Sequence, residues 1–65
     1  MIKVRFWEME TDKFFESKMP VIPQRKDIID CHIDGQYGRG IVESISHEFD
    51  EKGKFKFVEI GLIIQ

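Results

Sequence analysis

Hydrophobic and polar residues alternate in the first stretch of the chain. The apolar positions are Ile2, Val4 and Phe6, and the positions between and after them are Lys3, Arg5 and Trp7. A repeat of two residues is typical of a β-strand with one buried face and one solvated face. We therefore predict that the chain begins with a strand.

Residues 13–19 follow a polar, turn-like segment at residues 10–13. They form either a second strand or a single helical turn that starts at Thr11 or Asp12. We prefer the strand, because a helix this short is marginal by itself. Pro20 and Pro23 then keep the chain extended and remove two backbone donors, which predicts a connector that runs over a barrel edge.

A third strand is predicted at residues 28–33, where Ile29 and Cys31 share one face. The segment 34–38 begins with Asp-Gly and lies between two strand-like stretches. Such a pair supplies the positive φ that a tight hairpin requires. The sequence therefore predicts a turn at residues 34–38.

The stretch from Gly38 to Gln65 reads as a long β-hairpin with arms at residues 39–49 and 55–64 and a turn at 50–53. The hydrophobic phase shifts within both arms, which predicts a bulge or a strong bend. The second arm is apolar on both faces between Val58 and Ile64. That pattern is typical of a central strand or of a strand covered by a partner.

Five short strands without a convincing helix predict an all-β fold. We expect a small SH3-like barrel or a strongly bent antiparallel meander, formed by residues 1–65 as one domain. Pairing of the last strand with the first would remove exposed sheet edges. An OB-like barrel is less favoured, because it usually needs a longer chain and a helix.

Composition limits how so short a chain is stabilised. With 65 residues and one cysteine, Cys31, the chain has no internal disulfide, and two histidines fall short of a zinc set. The remaining sources of stability are efficient packing of the core and self-association. The free thiol favours a reducing cytoplasm, and no apolar run is long enough for a membrane span or a signal peptide.

Two segments resemble known families. Ile2-Lys3-Val4-Arg5-Phe6-Trp7-Glu8, followed by Asp12-Lys13 and Met19, resembles the N-terminus of small phage-encoded YopX-like proteins. Arg25-Lys26-Asp27-Ile28-Ile29 is similar to the Gly-Asp-Ile-Val step that enters a strand in that family and in SH3-like domains, with Lys26 in place of the glycine. The chain is shorter than YopX-like proteins. The resemblance implies a phage or prophage origin and a β-rich fold, and it provides no catalytic residues.

Three groups of residues are of types found in catalytic, metal or phosphate sites, but each has a simpler structural explanation. Cys31 and His32 are neighbours in a strand and point to opposite faces, so we expect a buried structural cysteine. The segment 47–51 carries one histidine and three carboxylates, which reads as a solvated acidic hairpin tip rather than a cation site. The glycines at positions 35, 38 and 40 lack the helix and the Lys-Ser/Thr of a phosphate loop.

One group of basic and aromatic residues has the composition of a binding surface. Lys3, Arg5 and Trp7 share a strand face, and we expect Lys54 and Lys56 to continue it as a basic strip near Tyr37 and Arg39. Aromatic rings stack with bases while cations follow phosphates, so such a strip suits a nucleotide or a single-stranded nucleic acid. The alternative is a solvated strand face whose lysines prevent aggregation.

No enzyme, metal or cofactor signature is present in the sequence, so we expect a non-enzymatic binding protein. The leading hypothesis is a phage-encoded inhibitor that docks on a bacterial host protein, for example in defence or transcription. Its predicted partner-binding residues are Arg5, Trp7, Tyr37, Arg39, Lys54 and Lys56. The alternatives are a homo-oligomer that sequesters a small anionic nucleotide, and a single-stranded nucleic-acid binder.

Overall fold

The computed structural model describes residues 1–33 and 35–65, with Ile33 described for its backbone alone. Five strands make up the fold, and the described residues contain no helix. The strands are β1 (Ile2–Glu8), β2 (Lys13–Met19), β3 (Ile28–Ile33), β4 (Gln36–Phe49) and β5 (Phe55–Ile64). The prediction of an all-β fold with five strands is confirmed, including a strand rather than a helical turn at residues 13–19.

The strands form one mixed sheet that is curled into a half-barrel. Their order across the sheet is β2-β1-β5-β4-β3. The predicted pairing of the first and last strands is present, but it is parallel, with Val4 opposite Val58. This pairing joins two antiparallel units at the centre of the sheet, so β2 and β3 remain as its edges. The predicted small barrel-like fold is therefore confirmed as a half-barrel, although the pairing of β1 with β5 does not remove the exposed edges as expected.

The core lies on the inner face of the half-barrel. Six side chains form it: Val4, Phe6, Val42, Val58, Ile60 and Leu62. Strand alternation places them there, because every second residue of β1 and of β5 points inward. The Phe6 ring stacks on Phe15 of β2, with 4.8 Å between the centroids. Each fully buried aliphatic or aromatic side chain contributes about 1.5–3 kcal/mol relative to exposure.

The connector between β2 and β3 covers part of this core. Ile22 packs against the core cluster, and Pro23 is buried. Lys26 then adopts φ 77°, in the left-handed region that favours glycine. The Lys26 N–H donates to the Val42 carbonyl, and the Val42 N–H donates to the Asp27 carbonyl. Two residues of the connector thus oppose one residue of β4, which forms a bulge just before β3.

The hairpin between β3 and β4 is tighter than predicted. Ile33 pairs with Gln36, so two residues connect the strands, and Gly35 has φ 80°. The positive φ expected from the Asp-Gly pair is confirmed at Gly35, whereas Asp34 lies outside the described residues. The predicted turn continued to Gly38, but the structure already includes residues 36–38 in β4.

The predicted irregularity of the long hairpin is confirmed. The register between β4 and β5 shifts between Val42 and Ser44 and again between Glu48 and Phe49. Gly61 lies opposite Ser44, where a Cβ atom would come within 2.3 Å of the Ser44 Oγ atom and 3.1 Å of the Met9 Sδ atom. The absence of a side chain at Gly61 therefore allows Ser44 and Met9 to cover the outer side of β5.

Candidate protein-binding surface

The outer face of the half-barrel carries a group of stacked side chains across three neighbouring strands. We call this group the aromatic–arginine surface, and it consists of Arg5, Trp7, Phe14 and Phe57. Arg5 and Trp7 project from β1, between Phe14 on β2 and Phe57 on β5. They reach the outer face because their neighbours Val4, Phe6 and Glu8 are the inward residues of β1.

Arg5 lies at the centre of the aromatic–arginine surface. Its guanidinium carbon is 4.3 Å from the centroid of the Phe14 ring and 5.5 Å from that of Phe57. The Nε atom is buried, receives no hydrogen-bond partner within the described chain, and lies 3.6 Å from a Glu59 carboxylate oxygen. Two aromatic rings and one carboxylate at longer range therefore hold the guanidinium group, without a direct hydrogen bond at Nε.

Trp7 extends the surface toward the β1–β2 turn. Its ring lies nearly parallel to that of Phe14, with 6.3 Å between the centroids and 12° between the planes. The indole Nε1–H donates to the Asp12 carboxylate over 3.0 Å. Asp12 itself has φ 58°, which the short polar side chain tolerates better than most residues do. The turn therefore fixes the orientation of the indole.

A second group of side chains lies on the outer face of β3 and β4. We call it the Asp30 cluster, and its other members are His32, Tyr37 and Arg39. The Tyr37 hydroxyl and the Arg39 Nε–H both donate to Asp30 Oδ1, over 2.9 and 3.0 Å. The His32 and Tyr37 rings meet edge to face, with 5.7 Å between their centroids. Tyr37 remains 61% exposed.

Asp30 and Arg39 stabilise each other in the charged form. The Arg39 hydrogen bond, followed by that of Tyr37, lowers the pKa of Asp30 below its usual value of 3.8. The same hydrogen bond to Asp30 raises the pKa of Arg39 above its ordinary value. Asp30 is therefore ionised and Arg39 is protonated at neutral pH, so the cluster presents a paired charge rather than a free cation.

The basic strip predicted from the sequence is divided in the structure. Lys54 belongs to the β4–β5 turn, where its N–H donates to Asp50 Oδ1 over 2.9 Å. Lys56 is the extra residue of the bulge near the start of β5, because Glu48 pairs with Phe57 and Phe49 with Phe55. Its Nζ atom lies 5.7 Å from the centroid of the Phe57 ring. Lys54 therefore does not continue the strip, whereas Lys56 reaches only its margin at Phe57.

The two cations that remain on the outer face of β1 have acidic neighbours. Lys3 Nζ lies 3.9 Å from a Glu16 carboxylate oxygen, and Arg5 Nε lies 3.6 Å from Glu59. These contacts lower the local positive potential that would attract phosphates. The outer face is therefore better suited to stacking and to polar protein groups than to a polyanion.

A shallow cleft of about 290 Å³ lies at the end of the half-barrel, between the β1–β2 turn and the start of β4. Its lining includes Glu8, Glu10, Thr11, Lys13 and Tyr37. The Glu8 carboxylate is buried and accepts hydrogen bonds from the Glu10 and Thr11 N–H groups and from the Thr11 hydroxyl. Glu8 thus closes the β1–β2 turn and is not available as a free ligand group.

The remaining clusters noted in the sequence have structural roles. Cys31 is buried, as expected, and its thiol donates to the Gly38 carbonyl over 3.6 Å. Burial, together with the nearby Asp30, raises the pKa of this thiol. His32 points to the opposite, exposed face. At the hairpin tip, Asp50 accepts hydrogen bonds from the Lys52 and Lys54 N–H groups and shapes the turn.

Within residues 1–33 and 35–65, no three histidine, cysteine, aspartate or glutamate side chains come together as a metal site. The same part of the chain contains no helix long and apolar enough to cross a membrane.

No protein-family model, curated protein or solved structure matches this chain. The function must therefore be argued from the two groups on the outer face. Of the predicted partner-binding residues, the structure places Arg5 and Trp7 in one group and Tyr37 and Arg39 in the other.

Sequence reasoning missed two members of the aromatic–arginine surface, Phe14 and Phe57. A signal was available for Phe14, because Phe14 and Phe15 are neighbours in a strand and only one of them can face the core. For Phe57 the pairing of the last strand with the first was predicted, but its parallel direction and its register were not. The parallel pairing of these strands brings Phe57 to Arg5.

Proposed function

We propose that this chain is a non-enzymatic binding protein that docks on another protein through the aromatic–arginine surface. The observation that carries the proposal is the position of Arg5 between the Phe14 and Phe57 rings, with Trp7 stacked on Phe14. Tryptophan and arginine are enriched among the residues that dominate protein–protein binding energy. Phe14 is 48% exposed, so the surface has apolar area left for a partner.

Preorganisation supports the same proposal. Ordering flexible side chains on binding costs about 0.5–1.5 kcal/mol for each side chain immobilised. Stacking already restricts Arg5, and the hydrogen bond to Asp12 already restricts Trp7. Much of that cost is therefore met during folding. The terminal amino groups of Arg5 make no hydrogen bond within the described part of the chain, and they can donate to a partner.

The proposed partner is a bacterial host protein, and the proposed effect is inhibition of that protein inside the bacterial cell. This part of the proposal rests on the phage origin that the resemblance implies. Tyr37 and Arg39 lie on the same outer face, toward β3, and would contribute at the rim of a large interface. Binding of a nucleotide or of single-stranded nucleic acid is the weaker proposal, because Glu16 and Glu59 flank the cations of β1.

The experiment is a pull-down from bacterial lysate at moderate and at high salt, with tagged wild-type protein and three variants. Phe14→Ser and Arg5→Ala alter the aromatic–arginine surface. Phe55→Ser is the matched control, because Phe55 is a similarly exposed phenylalanine (43% against 48%) located at the hairpin end of β5. Circular dichroism and urea unfolding verify that all variants remain folded.

We expect wild type and Phe55→Ser to retain the same host protein at high salt, and Phe14→Ser and Arg5→Ala to lose it. Equal retention by Phe14→Ser and wild type would show that this surface is not the binding site. Recovery of nucleic acid or nucleotide alone, lost as salt increases, would replace the proposal with the nucleic-acid alternative.

A further inference from the structure

The half-barrel leaves the backbone of β3 open on one side. The Arg39 carbonyl accepts a hydrogen bond from the Gln65 N–H, so the backbone groups of Arg39 face β5. Asp30 lies opposite Arg39 in the β3–β4 pair, so the backbones of these two residues exchange no hydrogen bonds. By alternation, the N–H and C=O groups of Ile28, Asp30 and His32 point away from the sheet and into the open edge.

The opposite edge, β2, is protected in ways that β3 is not. Lys13 and Lys18 lie on β2, and Pro20 follows it directly. Lysine and proline at an edge discourage the addition of another strand. β3 contains neither residue, and Ile28 is 57% exposed. The negative charge of Asp30 is balanced within the chain by Arg39.

The positions of the outward backbone groups and the charges of the side chains together select one register for pairing β3 with β3 of a second copy. Antiparallel pairing requires that outward-facing residues oppose outward-facing residues, so Asp30 can face Ile28, Asp30 or His32 of the second copy. Opposite Ile28, the carboxylate has no polar partner. Of the other two registers, the first brings two carboxylates together, which is unfavourable. The second register is centred on Cys31 and places each Asp30 opposite the His32 of the other copy.

The side chains fit this second register. Both hydrogen bonds to Asp30 end on Oδ1, and Oδ2 receives none within the described part of the chain. The His32 side chain is exposed on the same outer face. An imidazole N–H of one copy can therefore donate to Oδ2 of the other without displacing Tyr37 or Arg39.

From these observations we propose that the chain forms a two-fold dimer by antiparallel pairing of β3 with β3 of a second copy, with Asp30 opposite His32. Two pairs of residues then exchange four backbone hydrogen bonds, and the two half-barrels share one continuous ten-stranded sheet. The aromatic–arginine surface lies on the same outer face but toward the opposite edge of each sheet, where it stays uncovered, so this inference does not depend on the proposed function.

The test measures the dimer dissociation constant by sedimentation equilibrium on the untagged full chain. His32→Pro removes one outward N–H from the β3 edge of each copy and leaves the β3–β4 hydrogen bonds in place. Glu16→Pro is the matched control on β2. The Met9 N–H donates to Leu62 on β5, so the backbone groups of Glu8 face β2 and, by alternation, those of Glu16 point outward.

We expect a concentration-dependent dimer of the 7.7 kDa chain. Because His32→Pro removes two backbone hydrogen bonds and both Asp30–His32 contacts from each dimer, it should weaken dimerisation by at least about thirtyfold. Glu16→Pro should leave the dissociation constant unchanged. A wild-type chain that stays monomeric at submillimolar concentration would overturn the proposal. Weaker dimerisation of Glu16→Pro alone would move the interface to β2 and overturn it as well.

A second measurement tests the register. Asp30→Lys removes the carboxylate that accepts from His32 of the other copy, and His32→Asp places two carboxylates opposite each other, so each variant alone should dimerise poorly. An equimolar mixture of the two variants should associate, because the introduced lysine then lies opposite the introduced aspartate. If the mixture associates no better than either variant alone, the proposed register is wrong.

Discussion

The Arg5 guanidinium carbon lies 4.3 Å from the centroid of the Phe14 ring, across the antiparallel pair of β1 and β2. In the register of this pair, Arg5 faces Glu16 and Trp7 faces Phe14, so Arg5 and Phe14 are diagonal neighbours. Side chains as long as these reach a diagonal neighbour on the same sheet face. Arg5 therefore lies over the ring and contacts Phe57 of β5 from the other side.

A double-mutant cycle measures what this contact contributes. We expect Arg5→Ala, Phe14→Ala and the double variant to give a coupling free energy of about 0.5–1 kcal/mol in urea unfolding, the range for an exposed cation–π contact. The control cycle uses Lys3 and Glu16, an exposed pair 3.9 Å apart, whose coupling should lie at the low end of about 0–1 kcal/mol. Equal coupling in both cycles would show that ring stacking adds nothing.

Lys26 adopts a backbone conformation that favours glycine. With φ 77°, its Cβ is strained by about 1 kcal/mol. Lys26 also pairs with Glu43, with 3.0 Å between Nζ and Oε1. We therefore compare Lys26→Gly with Lys26→Ala, because both variants lose the ion pair and only the first relieves the strain. Lys26→Gly should be more stable than Lys26→Ala by about 1 kcal/mol in urea unfolding. If Lys26→Ala were the more stable variant, the backbone of Lys26 would not be strained.

Gly61 is packed too closely for a side chain. Because a Cβ atom there would lie 2.3 Å from Ser44 Oγ, Gly61→Val should destabilise the fold by about 2 kcal/mol, as overpacking in a sheet does. Adding Ser44→Ala removes the nearest atom and should restore part of the loss. Gly61→Val without any loss in thermal or urea unfolding would show that the Ser44 and Met9 side chains move aside at little cost.

Because of Glu8, the stability of the fold should change with pH in the acidic range. The hydrogen bond from the Thr11 hydroxyl is the largest effect on its pKa, and with the Glu10 and Thr11 N–H groups it keeps that pKa below the usual 4.5 despite burial. A lowered carboxyl pKa stabilises the fold above pH 4.5 and loses that effect as the pH falls through the folded-state value.

Glu8→Gln should therefore be less stable than wild type at neutral pH, and the difference should shrink as the pH falls below 4.5. Urea unfolding at a series of pH values measures this difference. Glu10→Gln is the control, because Glu10 is exposed at the same turn. A difference between wild type and Glu8→Gln that is the same at every pH would show that the ionised carboxylate is not the stabilising form.

The strands could be predicted well because their signals are local. Residues 55–64 form a predominantly apolar stretch next to a Gly-containing turn, and β5 has those bounds. The bulge in β4 was also visible, as a break in the alternation of apolar and polar positions. The strip of Lys54 and Lys56 with Arg5 was a weaker prediction, because it required knowledge of how two distant strands align.

By itself, the sequence determined the five strands, the inward residues of β1, the buried Cys31 and the positive φ at Gly35. All of these follow from the periodicity and conformational limits of a few neighbouring residues. Only the tertiary structure decided that β1 and β5 run parallel, that β2 and β3 are open edges, and that Phe14 and Phe57 meet Arg5. These features depend on pairings between distant residues, for example Val4 with Val58, which are 54 positions apart. Such pairings are selected by the burial of the whole core, and local patterns do not encode the direction of a strand pair.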